Sequence, residues 1–258
     1  MTPEERTRMN QERWNAQSAD YQQAHQADLE DDLLWGPSMP PEKTLDVLGD
    51  VSDKDVLELC CGGGQSVAYL AQRGARVVGV DYSEQQLEYA RAYIAKKGIS
   101  AQLVLGNVED LSALGTERFD VAFSAYAFAY VERIDRVFRE TWRALRPGGL
   151  FAFSCGSPFL AKLKRPFSNE IVVEGRYFDR TPWVGKDEWG TAVEFHRTYG
   201  DWLNALVNAG FVVTDLLEPE PLLTENTWGD DPPFTVLEKV PATSIWRAEK
   251  PSPNGGRL

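Results

Sequence analysis

Short apolar runs alternate along this chain with stretches whose apolar residues return every three or four positions. "VLEL" at 56–59 reads as a strand, and "SVAYLAQRG" after a glycine turn reads as a helix closing on Gly74. "ARVVGVD" at 75–81 is a second strand. Ser83 and Gln86 have the spacing of a capping box, and Leu87, Ala90 and Ile94 mark a helix that stops at Gly98. "AQLVL" and "FDVAFSA" are the third and fourth strands. Ile134, Val137, Phe138, Thr141, Trp142 and Leu145 keep helical spacing up to the stop signal Pro147-Gly148-Gly149. "LFAFSC" is a fifth strand, "GDWLNALVNAG" a helix, "FVVTDLL" a strand, and "TSIWRAEK" the last one. This alternation predicts an α/β chain with a doubly wound sheet and helices on both faces.

Two regions fall outside the frame. Residues 1–50 hold an N-terminal helix and the loop "LLWGPSMPP". Residues 156–195 are an insertion containing Phe159, Phe167, Tyr177, Phe178, Trp183, Trp189 and Phe195. About 40 residues is long for a connector, so a cap is expected there, with a hairpin between "IVVEGRYF" and "TAVEFHRT". Its aromatics suit either a substrate wall or plain packing. The division expected is 1–50, a main domain over 51–250, and a frayed tail over 251–258.

Composition narrows the function. Of 258 residues 43 % are apolar, enough for a substantial core, and the net charge is −12. Such a surface repels nucleic acid and anionic membranes. Lys162, Lys164 and Arg165 read as a solvated loop face. No stretch approaches the ~20 apolar residues of a membrane span. The charged start, "MTPEERTRMNQERW", is not a secretory signal, and three cysteines do not suggest a disulfide framework, so a cytoplasmic, reduced protein is expected.

The chemistry centres on "VLELCCGGGQ" at 56–65. Adjacent Cys60 and Cys61 lack the C-x-x-C spacing of redox and zinc sites, and with two histidines in the chain no metal site is expected. No lysine follows the glycines, which removes a Walker loop. Gly62 and Gly64 could open a G-x-G-x-x-G fingerprint, but its third position is Val67. A strand, glycine turn and helix remain, which let a ligand approach the backbone. Asp81 ends the next strand, where an acid can accept from a ribose diol. A nucleoside carrying an anionic group fits.

Together, V56-L-E-L-C-C-G-G-G, V77-V-G-V-D-Y-S, G106-N-V-E-D-L, F119-D-V-A-F-S-A and L145-R-P-G-G-L-F-A-F resemble the ordered motifs of class I S-adenosylmethionine-dependent methyltransferases. They are most similar to the small-molecule branch with ubiquinone- and menaquinone-biosynthesis-type enzymes. The resemblance is tight over 55–155 and loose over 196–217. Two departures are Cys60, where the family usually has glycine, and Asn107, where it usually has aspartate.

The resemblance implies a Rossmann-like seven-stranded sheet with its last strand antiparallel, an N-terminal helical lid, and S-adenosyl-L-methionine as cofactor. Glu58 would accept from the methionine amino group. The backbone at Cys60, Gly62 and Gly64 would hold the methionine moiety. Asp81 would take the ribose, with Tyr82 beside the adenine framed by Asn107, Val108 and Glu109. Ser124 and Tyr126 would face the cofactor, and Tyr21 would close over its carboxylate. Trp14 shares Tyr21's helical face; for both, and for Trp35, helix packing is the alternative. His196, after the insertion, is the candidate base, since a histidine can take a hydroxyl proton near neutral pH. A small-molecule acceptor is expected, in a monomer or homodimer, with the accepting atom (O, N, C or S) open. A non-catalytic cofactor-binding protein and an NAD-dependent oxidoreductase are the competing readings.

Overall fold

A computed structural model describes residues 1–29, 32–164, 172–173, 175–222 and 239–252. Seven strands form the central sheet: β1 (Asp55–Leu59), β2 (Arg76–Asp81), β3 (Gln102–Leu105), β4 (Phe119–Ser124), β5 (Leu145–Gly156), β10 (Val212–Leu217) and β11 (Thr243–Glu249). Their order is β3-β2-β1-β4-β5-β11-β10, with β11 antiparallel to both neighbours and the other pairings parallel. The expected doubly wound sheet with its last strand inverted is therefore present. The strand order reverses between β1 and β4, where open α/β sheets leave a crevice at the strands' carboxyl ends.

The central strands are apolar along their whole length because both faces are covered. Leu57, Leu59, Val78, Val80, Phe151 and Phe153 face a cluster completed by Phe138 of α5 (Ile134–Ala144) and Trp202 of α6 (Tyr199–Ala209). Val56, Val77, Val121 and Phe123 face the other, with Val67 and Tyr69 of α3 (Gln65–Gln72) and Leu87 of α4 (Glu84–Lys96).

Three local expectations need correction. The Pro147-Gly148-Gly149 stop lies inside β5. The helix ends at Ala144, Leu145 pairs with Phe119, and Gly148 N–H and Gly149 C=O bond to Lys250. The capping box is half formed: Ser83 accepts Gln86 N–H, but the Gln86 side chain accepts from Gln22 instead. In the insertion, β6 (Leu163–Lys164) pairs with β7 (Val172–Val173), and β8 (Trp183–Asp187) forms a hairpin with β9 (Gly190–Glu194). Residues 171–178 and 191–198 are thus not each other's partners. Asp187 and Gly190 close the tighter hairpin, with Gly190 at φ 136°. Arg165, Phe167 and the side chains of Lys162 and Lys164 lie outside the described residues.

The N-terminal helix α1 (Pro3–Leu29) is polar on nearly every side, so it cannot be held by an apolar stripe. Side-chain clasps hold it. Asn10 Nδ2 donates to the carbonyls of Val193 (2.8 Å) and Tyr130 (3.0 Å), and its Oδ1 accepts Val193 N–H at 2.8 Å. Gln11 reaches the Tyr82 carbonyl, Ser83 Oγ donates to Asn15, and Arg6 and Arg13 pair with Glu132 and Asp187. Asn10→Ala takes the partner from two buried backbone groups of Val193 and the half-buried Tyr130 carbonyl, and is expected to cost about 2–3 kcal/mol. Urea unfolding checks this; an unchanged midpoint would mean that the clasp contributes nothing.

The loop at 33–41 is structural. Trp35 is fully buried against Phe123, and its indole donates to Glu42 of the short helix α2 (Glu42–Leu45). Glu42 also accepts Val47 and Leu48 N–H.

Candidate functional site

The turn after β1 winds through left-handed conformations at Cys60 (φ 60°), Gly62 (φ 49°) and Gly64 (φ 76°). Cys60 is the costly one, because a side chain there crowds its own carbonyl by about 1–2 kcal/mol. Gly63 admits a neighbour: a Cβ would lie 2.4 Å from Gln22 Nε2. Gln22 of α1 bridges the base of the turn, donating to Gln86 at 2.8 Å and accepting from Gln65. Val67, at the third fingerprint position, is fully buried, and the close helix–strand approach is supplied by Gly79, whose Cβ would meet Val67 at 3.0 Å.

Two buried acids flank this turn. Glu58, at the end of β1, is 3 % exposed, and its Oε2 has no hydrogen-bond partner. Burial pushes its carboxyl well above the usual range, and the charge of Asp81 adds to the push. Asp81, at the end of β2, accepts Gly62 N–H at 2.9 Å on Oδ2 and Ser83 N–H at 2.8 Å on Oδ1. Burial still wins over these bonds and raises it to about 6. Burial, reinforced by both carboxylates, also drives the thiols of Cys60 and Cys61 well up. They are neutral and unreactive at pH 7, so thiol chemistry is not available here.

A cavity of about 1340 Å³ opens above the turn. Of the residues singled out from sequence, Tyr21, Glu58, Cys60, Gly62, Asp81, Tyr82, Asn107, Val108, Glu109, Tyr126 and His196 line it. Gly64 and Ser124 do not. Gly64 stands behind the turn, where a Cβ would lie 2.9 Å from Ala90 Cβ, and Ser124 is fully buried in β4 with an unpartnered Oγ. Asn107 Oδ1 is used by its own loop, accepting Glu109 N–H at 2.9 Å, so its amide donors are what it can offer a ligand. Tyr126 adopts φ 57°, and its N–H donates to Ser154 Oγ at 2.9 Å. Burial raises its hydroxyl to about 12 and lifts those of Tyr21, Tyr82 and Tyr130 as well, so all four are neutral donors. Tyr21 packs edge-on to Trp14 with ring centres 5.3 Å apart.

The far wall holds Tyr130, Trp183, Glu194, His196 and Arg197. His196 Nε2 lies 2.8 Å from the Tyr177 carbonyl. Arg197 is half-buried beside Trp202 and donates to the carbonyls of Phe128, Val131 and Glu132; desolvation lowers it to about 10. Of the insertion's aromatics, Phe159, Phe178 and Trp183 are exposed, which rules out core packing for those three. Sequence reasoning missed Gln22, Gln65, Tyr130, Glu194 and Arg197. Tyr130 was within reach, four residues past Tyr126 in one aromatic stretch. Among the described residues no cluster of His, Cys, Asp and Glu could hold a metal ion, and no helix is long and apolar enough to cross a membrane.

Residues 57–153 match a family model described as a methyltransferase domain. The chain is 27 % identical over 197 residues to an uncharacterized methyltransferase of Bacillus subtilis, YbaJ, covering 71 % of this chain and 76 % of that one. It is 31 % identical over 175 residues to the demethylmenaquinone methyltransferase of Lactococcus lactis, covering 62 % of this chain and 66 % of the enzyme. A crystal structure of an S-adenosylmethionine dependent methyltransferase from Mesorhizobium loti superposes with a TM-score of 0.65 at 28 % identity, over 80 % of this chain and 95 % of that one.

Proposed function

This chain is a class I S-adenosylmethionine-dependent methyltransferase, and we propose that it methylates a small molecule held between the glycine turn and the 156–195 insertion. S-adenosyl-L-methionine, when bound, supplies an electrophilic methyl group on a sulfonium that leaves as a neutral thioether. The residues present suit that cofactor. The observation that carries the reading is Glu58: a buried carboxyl with an unpartnered oxygen, in a cavity wall with no cation beside it among the described residues, calls for a cationic partner such as an amino group.

The remaining roles are part of the same proposal. The turn at 60–64 brings backbone close to a methionine moiety, and Tyr21 on α1 is placed to cover it. Asp81 offers its remaining lone pairs to a ribose diol. Tyr82, Asn107, Val108 and Glu109 frame an adenine. Ser124 and Gly64 support the wall from behind. Trp183 of the insertion and His196 just after it line the same cavity and would border the acceptor. A small acceptor is also in keeping with the demethylmenaquinone methyltransferase of Lactococcus lactis among the relatives.

Calorimetry with S-adenosylmethionine and S-adenosylhomocysteine tests the reading, followed by incubation with methyl-labelled cofactor and small-molecule acceptors. Binding of both and label in an acceptor are expected. A folded chain that binds neither defeats it.

A further inference from the structure

The middle glycine of the turn after β1 has no backbone reason to be one. Gly62 and Gly64 take left-handed φ values, but Gly63 does not. Its missing side chain makes room instead: a Cβ there would lie 2.4, 2.6 and 2.7 Å from Nε2, Cδ and Oε1 of Gln22. The whole amide of Gln22 thus rests on the turn. The neighbouring glycines meet α4, where a Cβ at Gly62 would lie 3.9 Å from Gln86 Oε1 and one at Gly64 2.9 Å from Ala90 Cβ. Each glycine faces a different side chain, and the middle one faces α1.

Gln22 is buried, and both ends of its amide are hydrogen-bonded. Its Nε2 donates to Gln86 Oε1 at 2.8 Å, and its Oε1 accepts from Gln65 Nε2. Gln65 opens α3 and Gln86 lies in the first turn of α4, so one side chain links the starts of the helices that follow β1 and β2. All three glutamines line the cavity.

The same helix grips the turn after β2. Gln11 Nε2 donates to the Tyr82 carbonyl at 2.7 Å, and Asn15 Oδ1 accepts from Ser83 Oγ at 2.7 Å. Gln11, Asn15, Ser18 and Gln22 recur at steps of four, three and four, which places them along one face of α1. A packed helix usually carries apolar side chains at that spacing. Hydrogen bonds are directional, so a polar stripe fixes position and rotation where an apolar one would permit sliding.

We propose that α1 is a splint that sets the glycine turn against the turn after β2, that Gln22 is its positioning residue, and that residue 63 is glycine in order to seat it. The inference rests on the methyl-transfer reading above, in which the glycine turn holds the methionine moiety and Asp81 the ribose. Asp81 ties the two turns from within, through Gly62 N–H and Ser83 N–H. The splint ties them from outside. A ligand with both a nucleoside and an amino acid end needs both turns in register, and a preorganised span lowers the ordering cost of binding it. A ligand with the nucleoside alone needs only the Asp81 side.

The test uses the full chain with Gln22→Met, Gly63→Ala and the double variant. Methionine is as long as glutamine and has no amide, so it fills the seat and breaks both hydrogen bonds. Alanine at position 63 pushes aside only the flexible end of Gln22, so the fold is kept. Titration calorimetry measures S-adenosylhomocysteine. Ligand-observed NMR measures 5′-methylthioadenosine, which keeps the nucleoside and lacks the amino acid end. Either single change is expected to raise the dissociation constant for S-adenosylhomocysteine about tenfold, while that for 5′-methylthioadenosine stays within about twofold. The double variant is expected to match the single ones, because both remove the same contact. Equal losses for the two ligands, no loss for S-adenosylhomocysteine, or effects that multiply in the double variant would overturn the assignment. Failure of the wild-type chain to bind S-adenosylhomocysteine would instead defeat the methyl-transfer reading.

Discussion

Asp81→Ala is expected to raise the dissociation constant for S-adenosylhomocysteine by roughly 30- to 150-fold, or about 2–3 kcal/mol, the range for a hydrogen bond to a charged group. The same change frees the glycine turn, because Gly62 and Ser83 N–H lose their acceptor. The wild-type chain adds a pH signature. An acid moved from 3.8 to about 6 binds its proton more tightly when folded than when unfolded. The folded state therefore holds more protons between those values, and the stability of the ligand-free chain falls as pH rises through that window, by about 3 kcal/mol for two units. Ligand binding has the opposite slope, because a ribose diol donates best to the ionised carboxylate. Affinity at pH 5 is expected to be about tenfold weaker than at pH 7, the cost of ionising one group a unit below its midpoint. Calorimetry at the two pH values, repeated on Asp81→Ala, checks both statements; a flat profile in wild type would remove Asp81 from the ligand.

Glu58→Gln should separate stability from binding. An ionised carboxylate with an unpartnered oxygen, buried beside another acid, strains the empty chain. The amide carries no charge, so the ligand-free variant at pH 8 is expected to be more stable by about 1–3 kcal/mol. The gain should vanish as pH falls through the raised value of Glu58, where the wild-type carboxyl is itself neutral. Cofactor affinity moves the other way, weakening by about tenfold, because a charge-assisted acceptor of an ammonium becomes a neutral one. Thermal melts with and without S-adenosylhomocysteine measure the two effects together. A variant less stable than wild type when empty would show that Glu58 has a partner in solution that satisfies it.

How much of this could be read beforehand depends on how locally each feature is encoded. The central strands are contiguous apolar runs because both faces of the sheet are covered, so "VLEL", "ARVVGVD" and "FDVAFSA" were legible from composition alone. Asp81 stood out as an acid closing an apolar run and Glu58 only through the family resemblance; both are buried beside the glycine turn. The insertion was not. Its hairpin residues alternate weakly, Trp183 and Val184 are exposed, and the pairing is fixed by the turn at Asp187–Gly190 and by clasps from α1. The partner of Gln86 was hidden for the same reason, since a glutamine from α1 outcompetes the local cap.

The polar helix α1 carries one more consequence. It supplies Tyr21, Gln22 and Trp14 to the cavity wall, yet none of its described side chains belongs to either main apolar cluster. Lifting it away would break directional polar clasps, such as those of Asn10, without opening the apolar interior of the sheet. We expect release of the spent nucleoside to depend on these polar clasps more than on the packing of the sheet.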